Sequence, residues 1–141
     1  MTSETIPHRD VTSGDVAAVR AGFQAVGAGD IARFAATFHP DATWNHRNPD
    51  RLGGVKAGVD AIVGFLGASM EMTAGTLRPV PEVFMSDGAG HVAVLTRISG
   101  TRPDGRTFDD TQILYFTLEN GLARSVDQFI GDPPAVTAFW A

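Results

Sequence analysis

The sequence predicts an α+β fold in which helices cover one face of a curved, mostly antiparallel sheet. Apolar residues recur at helical spacing in the first half of the chain, and they alternate with polar residues, as in strands, in the second half. Short turns rich in Gly, Asp and Asn separate the alternating segments, which favours antiparallel neighbours. With 141 residues, 43% of them hydrophobic, the chain has the size of one domain. Residues 1–12 are polar and aperiodic, so we predict a flexible tail there and a single domain over residues 13–141.

Three helices are predicted in the first half of the chain. The first runs from about Ser13 and stops at the glycines that begin with Gly27. The second follows the capping residue Asp30 and ends before Pro40, because the residue before a proline avoids the helical region. The third covers roughly residues 55–72, where apolar residues share one side.

Five strands are predicted, one before the third helix and four after it. The first is the segment "DATWNH", residues 41–46. The other four cover residues 77–85, 91–99, 107–118 and 122–130. Asp132 followed by Pro133 is typical of a helix start, so a short C-terminal helix is expected after the last strand.

The composition restricts the classes of partner. The chain has 11 Lys and Arg against 16 Asp and Glu, a formal net charge of −5. Such a surface repels phosphate groups, so we expect neither a nucleic-acid partner nor a membrane. Cysteine is absent, which excludes disulfides and thiolate metal sites. No segment has the length of a signal-peptide core or a transmembrane span, so a cytoplasmic protein is expected.

Polar residues interrupt apolar faces in three of the strands. Asp110 and Gln112 lie on the more apolar face of residues 107–118, and a buried carboxylate needs either hydrogen bonds or a wet cavity. Trp44 and His46 share a face of the first strand. In the last strand neither alternating set is cleanly apolar, so Asp127 faces the helices only if its set does. Histidine titrates near neutrality and a carboxylate in apolar surroundings has a raised pKa, which suits both for proton transfer.

Three segments carry a family resemblance: "VRAGFQAVGAGDIARFAATFHPDATW", "GVDAIVGFLGASMEMTAGT" and "DGRTFDDTQILYFTLENGLARSVDQF". They resemble the nuclear transport factor 2-like superfamily, which includes ketosteroid isomerase, limonene epoxide hydrolase, scytalone dehydratase and SnoaL-like polyketide cyclases. The segments "DRLGG" and "GDPPAVTAFW" are most similar to small SnoaL-like proteins. The resemblance implies a cone-shaped barrel, with a strongly curved sheet wrapped around three helices and a deep apolar pocket. It also implies a homodimer that associates through the outer face of the sheet.

The resemblance also assigns positions to functional residues. Alignment on "DAT" places the general base of ketosteroid isomerase at His46, and alignment on "GAGD" places its tyrosine donor at Gly22, which has no side chain. The protonated acid of that enzyme falls at Asp110 or Gln112. The acid/base carboxylate of SnoaL-like cyclases falls at Asp127 or at Asp132, and Asp127 is preferred because Asp132 is explained as a helix cap.

We therefore predict an enzyme without cofactor or metal that performs general acid/base chemistry on a small apolar, oxygenated substrate of polyketide or terpenoid type. The predicted reactions are cyclisation, isomerisation, dehydration or epoxide opening. The predicted catalytic residues are His46, Asp110 and Asp127. The predicted substrate-binding residues are Trp44, Phe65, Met70, Gln112 and Phe129. The alternative is a non-catalytic module that binds a hydrophobic ligand or mediates dimerisation.

Each titratable candidate also has a purely structural explanation. His46 could be a buried histidine at a strand end, bonded to a loop carbonyl. Asp110 could form a salt bridge with Arg102 or Arg106, and Asp127 could be an exposed partner of Arg124 or Arg97. These alternatives differ in where each side chain points, which the three-dimensional arrangement decides.

Overall fold

Helices and strands follow one another along residues 5–141, the part of the chain that the computed structural model describes, with side chains described from residue 14 onward. The elements are α1 (Thr5–Gly27), α2 (Ile31–Ala35), β1 (Phe38–Arg47), β2 (Gly54–Ala57), α3 (Val59–Met72), β3 (Arg78–Ser86), β4 (His91–Thr101), β5 (Thr107–Glu119), β6 (Leu122–Phe129) and α4 (Pro133–Trp140). This order confirms the predicted α+β class.

The strands form one six-stranded sheet with the order β2-β1-β6-β5-β4-β3. Strands β3 to β6 are consecutive antiparallel neighbours, as their short connections predict. Strand β1 lies parallel to β6 and antiparallel to β2. The first and last strands along the chain, β1 and β6, therefore lie side by side inside the sheet.

The buried core lies between the inner face of the sheet and the helices. In β4 and β5 every second residue is buried over most of the strand, so the alternation in the sequence matches the burial. The fully buried side chains from the sheet and helices include Ile62, Val92, Val94, Val126 and Val136. Among the described residues, no helix is both long and apolar enough to cross a membrane.

Helix α1 begins at Thr5, earlier than the predicted start near Ser13. It therefore includes part of the segment predicted as a tail. Residues 1–4 of that segment lie outside the described residues, and the flexibility predicted for residues 1–12 stays a prediction.

Two segments predicted as helical belong to strands. Phe38 lies in β1 and not in α2, because the backbone there bonds to β6. Ala123 N donates to Thr37 O at 2.9 Å, and Phe38 pairs with Ala123. Residues 55–57 lie in β2 and not in α3. Helix α3 starts only after Gly58, which has a φ of +90° and donates to Ala42 O at 2.7 Å. Strand pairing overrides the helical pattern at both places: β1 pairs with β6 at the first, and β2 pairs with β1 at the second.

Candidate functional site

A largely apolar cavity lies between the inner face of the sheet and the helices. The space open to the centres of water-sized molecules inside it is about 100 Å³. Its aromatic lining comes from Phe23, Phe34, Phe38, Trp44, Phe65, Phe108, Phe116 and Trp140. His46, Gln112 and Gln128 add polar side chains to one part of the wall. An apolar cavity with a few convergent polar groups is the usual form of a small-molecule site.

A chain of hydrogen bonds runs through the polar part of this wall. His46 Nε2 lies 2.9 Å from Asp50 Oδ2, and His46 Nδ1 lies 3.1 Å from Gln128 Oε1. Gln128 Nε2 donates to Gln112 Oε1 at 2.7 Å, and Gln112 Nε2 donates to Asp110 Oδ2 at 3.0 Å. The chain therefore joins two buried carboxyl groups through one imidazole and two amides.

The donor and acceptor of each hydrogen bond in this series can be assigned by starting from Asp110. The Asp110 carboxylate accepts from the backbone N–H groups of residues 131 and 132, and so it must face the amide nitrogen of Gln112. Gln112 then offers its oxygen to Gln128, whose own oxygen is left to accept from Trp44 Nε1 at 2.9 Å. The same Gln128 oxygen faces His46, so in this arrangement Nδ1 of His46 carries a proton.

The other ring nitrogen of His46 faces a buried carboxylate. The side chains of His46 and Asp50 are 3% and 1% exposed, so solvent does not screen this pair. Burial alone would raise the pKa of Asp50, but hydrogen bonds from His46 and Asn48, the charge of His46 and the N–H of Leu52 together lower it. Asp50 is therefore held as an acceptor-only carboxylate near neutral pH.

Hydrogen bonds and a close backbone approach hold the loop between β1 and β2, which contains Asp50. Lys56 Nζ donates to the carbonyls of Leu52, Gly53 and Gly54 and lies 5.0 Å from the ring centre of Phe65. Burial lowers the pKa of Lys56, and the charge of Asp50 partly offsets this. A Cβ at Gly53 would overlap the carbonyl oxygen of residue 48, so the loop accepts only glycine there without shifting.

Four of the predicted site residues line the cavity together: Trp44, His46, Phe65 and Gln112. The ring centres of Trp44 and Phe65 are 5.8 Å apart, and those of His46 and Phe65 are 5.6 Å apart. His46 is bonded to a carboxylate and an amide, not to the loop carbonyl of its structural explanation. Gly22 also lines the cavity, so the position of the family tyrosine contributes no phenol.

Asp110 is buried on the inner face of β5, as predicted, but it does not line the cavity. Its two oxygens are occupied by the N–H groups of Gly131 and Asp132 and by the amide of Gln112. Neither Arg102 nor Arg106 pairs with it, because their Nη1 atoms donate to carbonyls of α4. Asp110 accepts a hydrogen bond from Gln112 and so orients that side chain, but Asp110 itself does not face the cavity.

The prediction that Asp127 faces the cavity is wrong. Asp127 pairs with Arg47 at 2.9 Å on the outer side of the sheet. The register between β5 and β6 shifts at Arg124, so Ala123 and Val126 both point inward and the alternation continues with Gln128. Because His46 is the parallel partner of Gln128, the two side chains share the inner face.

Two predicted wall residues lie elsewhere. Phe129 follows Gln128 and points outward, where its side chain is 46% exposed and lies beside the Arg47 guanidinium. Met70 packs against the core from α3 but does not line the cavity. The preference for Asp132 as a helix cap is confirmed, since its side chain accepts from Ala135 N.

The sequence reasoning missed two members of the site, Asp50 and Gln128. Asp50 lies four residues after His46, between the first predicted strand and the third predicted helix. Gln128 belongs to the strand whose parity was ambiguous. The sequence does contain a signal for Asp50. It is a carboxylate four residues after His46, in a segment whose Pro and Gly allow the chain to turn back.

The backbone between β6 and α4 must approach Asp110 closely, which we expect to make Gly131 sensitive to substitution. A Cβ at Gly131 would overlap the Thr111 carbonyl oxygen and lie 2.9 Å from Asp110 Oδ1. Gly131→Ala should therefore lower the free energy of unfolding by about 1 to 3 kcal/mol, measured by urea denaturation. Gly64→Ala in α3 is the matched control, since its Cβ would meet nothing within 4 Å and should not destabilise the fold. Equal midpoints for both variants would contradict the requirement at Gly131.

The family model described as a SnoaL-like domain matches residues 8–126. The chain therefore belongs to the SnoaL-like family, within the nuclear transport factor 2-like superfamily, as its resemblance predicted. Members of this type include small-molecule cyclases and isomerases.

One sequence relative and two solved structures each match at least 90% of the chain. An uncharacterised protein of Mycobacterium tuberculosis is 31% identical over 127 residues, covering 90% of this chain and 96% of the relative. The structure of Bal32a, from a soil-derived mobile gene cassette, has a TM-score of 0.89 at 24% identity and covers 93% of this chain and 99% of that one. The structure of TerC co-crystallized with polyporic acid has a TM-score of 0.80 at 25% identity and covers 90% and 98% of the two chains.

Proposed function

We propose that this protein is a small-molecule enzyme in which Nδ1 of His46 gives and takes a proton beside an apolar, oxygen-bearing substrate. The observation that carries this proposal is the buried pair of His46 and Asp50 at the cavity wall. Asp50 holds Nε2, and Nδ1 points to the cavity-lining amide of Gln128. A histidine oriented by a carboxylate on one nitrogen is suited to proton transfer on the other.

The proposed step uses both states of the imidazole. With Nε2–H bonded to Asp50 and Nδ1 protonated, the ring is an imidazolium that donates its Nδ1 proton to a substrate oxygen. The ring is then neutral, and Nδ1 accepts a proton from a neighbouring substrate carbon. Protons balance in this sequence for an isomerisation and for a dehydration in which water leaves. Cyclisation through an enol uses the same two transfers. Epoxide opening by water also uses both: the epoxide oxygen takes the Nδ1 proton, water attacks the carbon as the C–O bond breaks, and Nδ1 takes a proton from that water.

The surroundings of His46 support this role. Among the described residues that line the cavity, His46 is the only one with a titratable side chain. The apolar lining strengthens electrostatic interactions inside the cavity and excludes charged ligands. The likeness to TerC, which was co-crystallized with polyporic acid, supports an organic ligand with oxygen substituents.

A binding module without chemistry is the second candidate, because both ring nitrogens of His46 already have protein partners. In that case the hydrogen-bond chain would only shape the cavity. We also propose that the protein forms a homodimer through the outer face of the sheet, where Ile113 and Tyr115 are 39% and 37% exposed.

The protonation of His46 tests the proposal directly. We expect long-range ¹H–¹⁵N NMR spectra at neutral pH to show a protonated Nδ1 on His46, and addition of 1-tetralone, a bicyclic aryl ketone, to shift that nitrogen signal. His39 and His91 are internal controls, because neither lines the cavity, and their signals should not respond. An unprotonated Nδ1 on His46, or no response to the ketone, would contradict the proposed role.

A further inference from the structure

Trp140 combines a place in the cavity wall with an indole N–H that has no hydrogen-bond partner among the described residues. Its side chain is 3% exposed and lines the cavity from α4. A buried indole N–H usually finds a partner, since an unsatisfied donor loses its bonds to water without replacement.

The donor is held in place from two sides. The indole packs against the rings of Phe108 and Phe139, with ring centres 5.8 and 4.8 Å away. Arg102 Nη1 donates to Phe139 O at 3.1 Å, and Arg106 Nη1 donates to Ala138 O at 3.1 Å. The end of α4, and with it the indole, is therefore fixed to the β4–β5 hairpin.

Three other side-chain donors of the cavity wall already have protein acceptors. Trp44 Nε1 donates to Gln128, and the hydroxyls of Thr37 and Ser69 donate to backbone carbonyls of their own helical turns. A ligand oxygen that approaches Trp140 competes with no existing bond. Binding there would satisfy a buried donor that has no partner among the described residues.

We infer that Trp140 Nε1–H binds an acceptor oxygen of the ligand, such as a carbonyl or ether oxygen, at a distance from the oxygen that His46 protonates. This inference rests on the proposed function of the same cavity. Phe108, against which Trp140 packs, precedes Gln112 by four residues on the same face of β5, a separation of roughly 13 Å along a strand. The favoured ligand is therefore an extended ring compound with oxygens towards both ends.

Two matched ketones test the inference. 6-Methoxy-1-tetralone carries an ether oxygen at the end opposite its ketone, and 6-ethyl-1-tetralone replaces that oxygen by a methylene group. We expect the first to move the indole N–H proton signal of Trp140 downfield and the second to leave it unchanged. The indole N–H of Trp44, already bonded to Gln128, is the internal control and should respond equally to both ketones.

Affinity gives a second measurement. Trp140→Phe keeps an aromatic ring and removes the donor, so it should weaken binding of the methoxy compound roughly three- to tenfold and that of the ethyl compound less than about twofold. If His46 responds to both ketones while the Trp140 N–H responds to neither, the Trp140 site is wrong and the proposed function stands. If His46 responds to neither ketone, both proposals fail.

Discussion

Replacement of His46 by Gln should reduce protein-catalysed exchange of the C2 protons of 1-tetralone with deuterium by about 100-fold or more. Exchange requires polarisation of the ketone oxygen and removal of a proton from the adjacent carbon, the two transfers assigned to Nδ1. Glutamine can keep one of the two hydrogen bonds, because both partners are acceptors and it has a single donor nitrogen, and it cannot exchange a proton with a substrate carbon. The rate is measured by ¹H NMR in D₂O as the loss of the C2 signal, after subtraction of the buffer rate.

A matched variant separates this effect from a general loss of charge. Asp127→Asn removes a titratable group from the outer face of the sheet, where its partner is Arg47. Its exchange rate should stay within about twofold of the unmodified protein, since no charge facing the cavity has changed. Full activity in His46→Gln, or an unmodified protein no faster than buffer, would overturn the assignment of His46.

The second large effect is expected at Asp50. Asp50→Asn should lower the free energy of unfolding at neutral pH by about 1 to 3 kcal/mol, because buried N–H groups of His46 and Asn48 lose a carboxylate acceptor. The amide nitrogen of the variant would also face Asn48 Nδ2, which now donates to Asp50 Oδ2 at 2.6 Å. Urea denaturation at neutral pH measures the difference.

The pH dependence of this difference has a definite sign. The pKa of Asp50 is lowered in the folded state, so its contribution is fully present above the unfolded pKa of about 3.9 and is lost as the pH falls through the folded value. The difference in unfolding free energy between the protein and Asp50→Asn should therefore shrink as the pH falls below about 4. A gap that widens in acid would contradict the lowered pKa.

Asp109→Asn is the control for the stability experiment. Asp109 pairs with Arg97 at 2.6 Å, but both side chains are at least half exposed. Solvent screens such a pair, so its removal should change the unfolding midpoint far less than removal of Asp50. An equal loss in both variants would show that burial does not set the strength of the His46–Asp50 pair.

The predicted buried faces agree with the structure where the alternation along a strand is clear. In β5, Asp110 and Gln112 alternate with exposed residues without interruption, so both were placed on the buried face. Trp44 and His46 followed the same rule in β1. The rule failed for Asp127 and Phe129, because an extra residue near Arg124 shifts the alternation of β6 and brings Gln128 inward.

The sequence by itself determined the α+β class, the order of the main elements and the face on which His46 lies, because helical periodicity and strand alternation are local patterns. It could not determine which polar groups meet. Asp50 reaches His46 from the β1–β2 loop, whose path depends on the close approach of Gly53 to the carbonyl of residue 48 and on the bonds of Lys56 to loop carbonyls. Trp140 reaches the same cavity only because α4 is fixed to the β4–β5 hairpin. Both contacts join elements through hydrogen bonds and close backbone approaches, whose partners no local pattern specifies, so only the tertiary structure decided them.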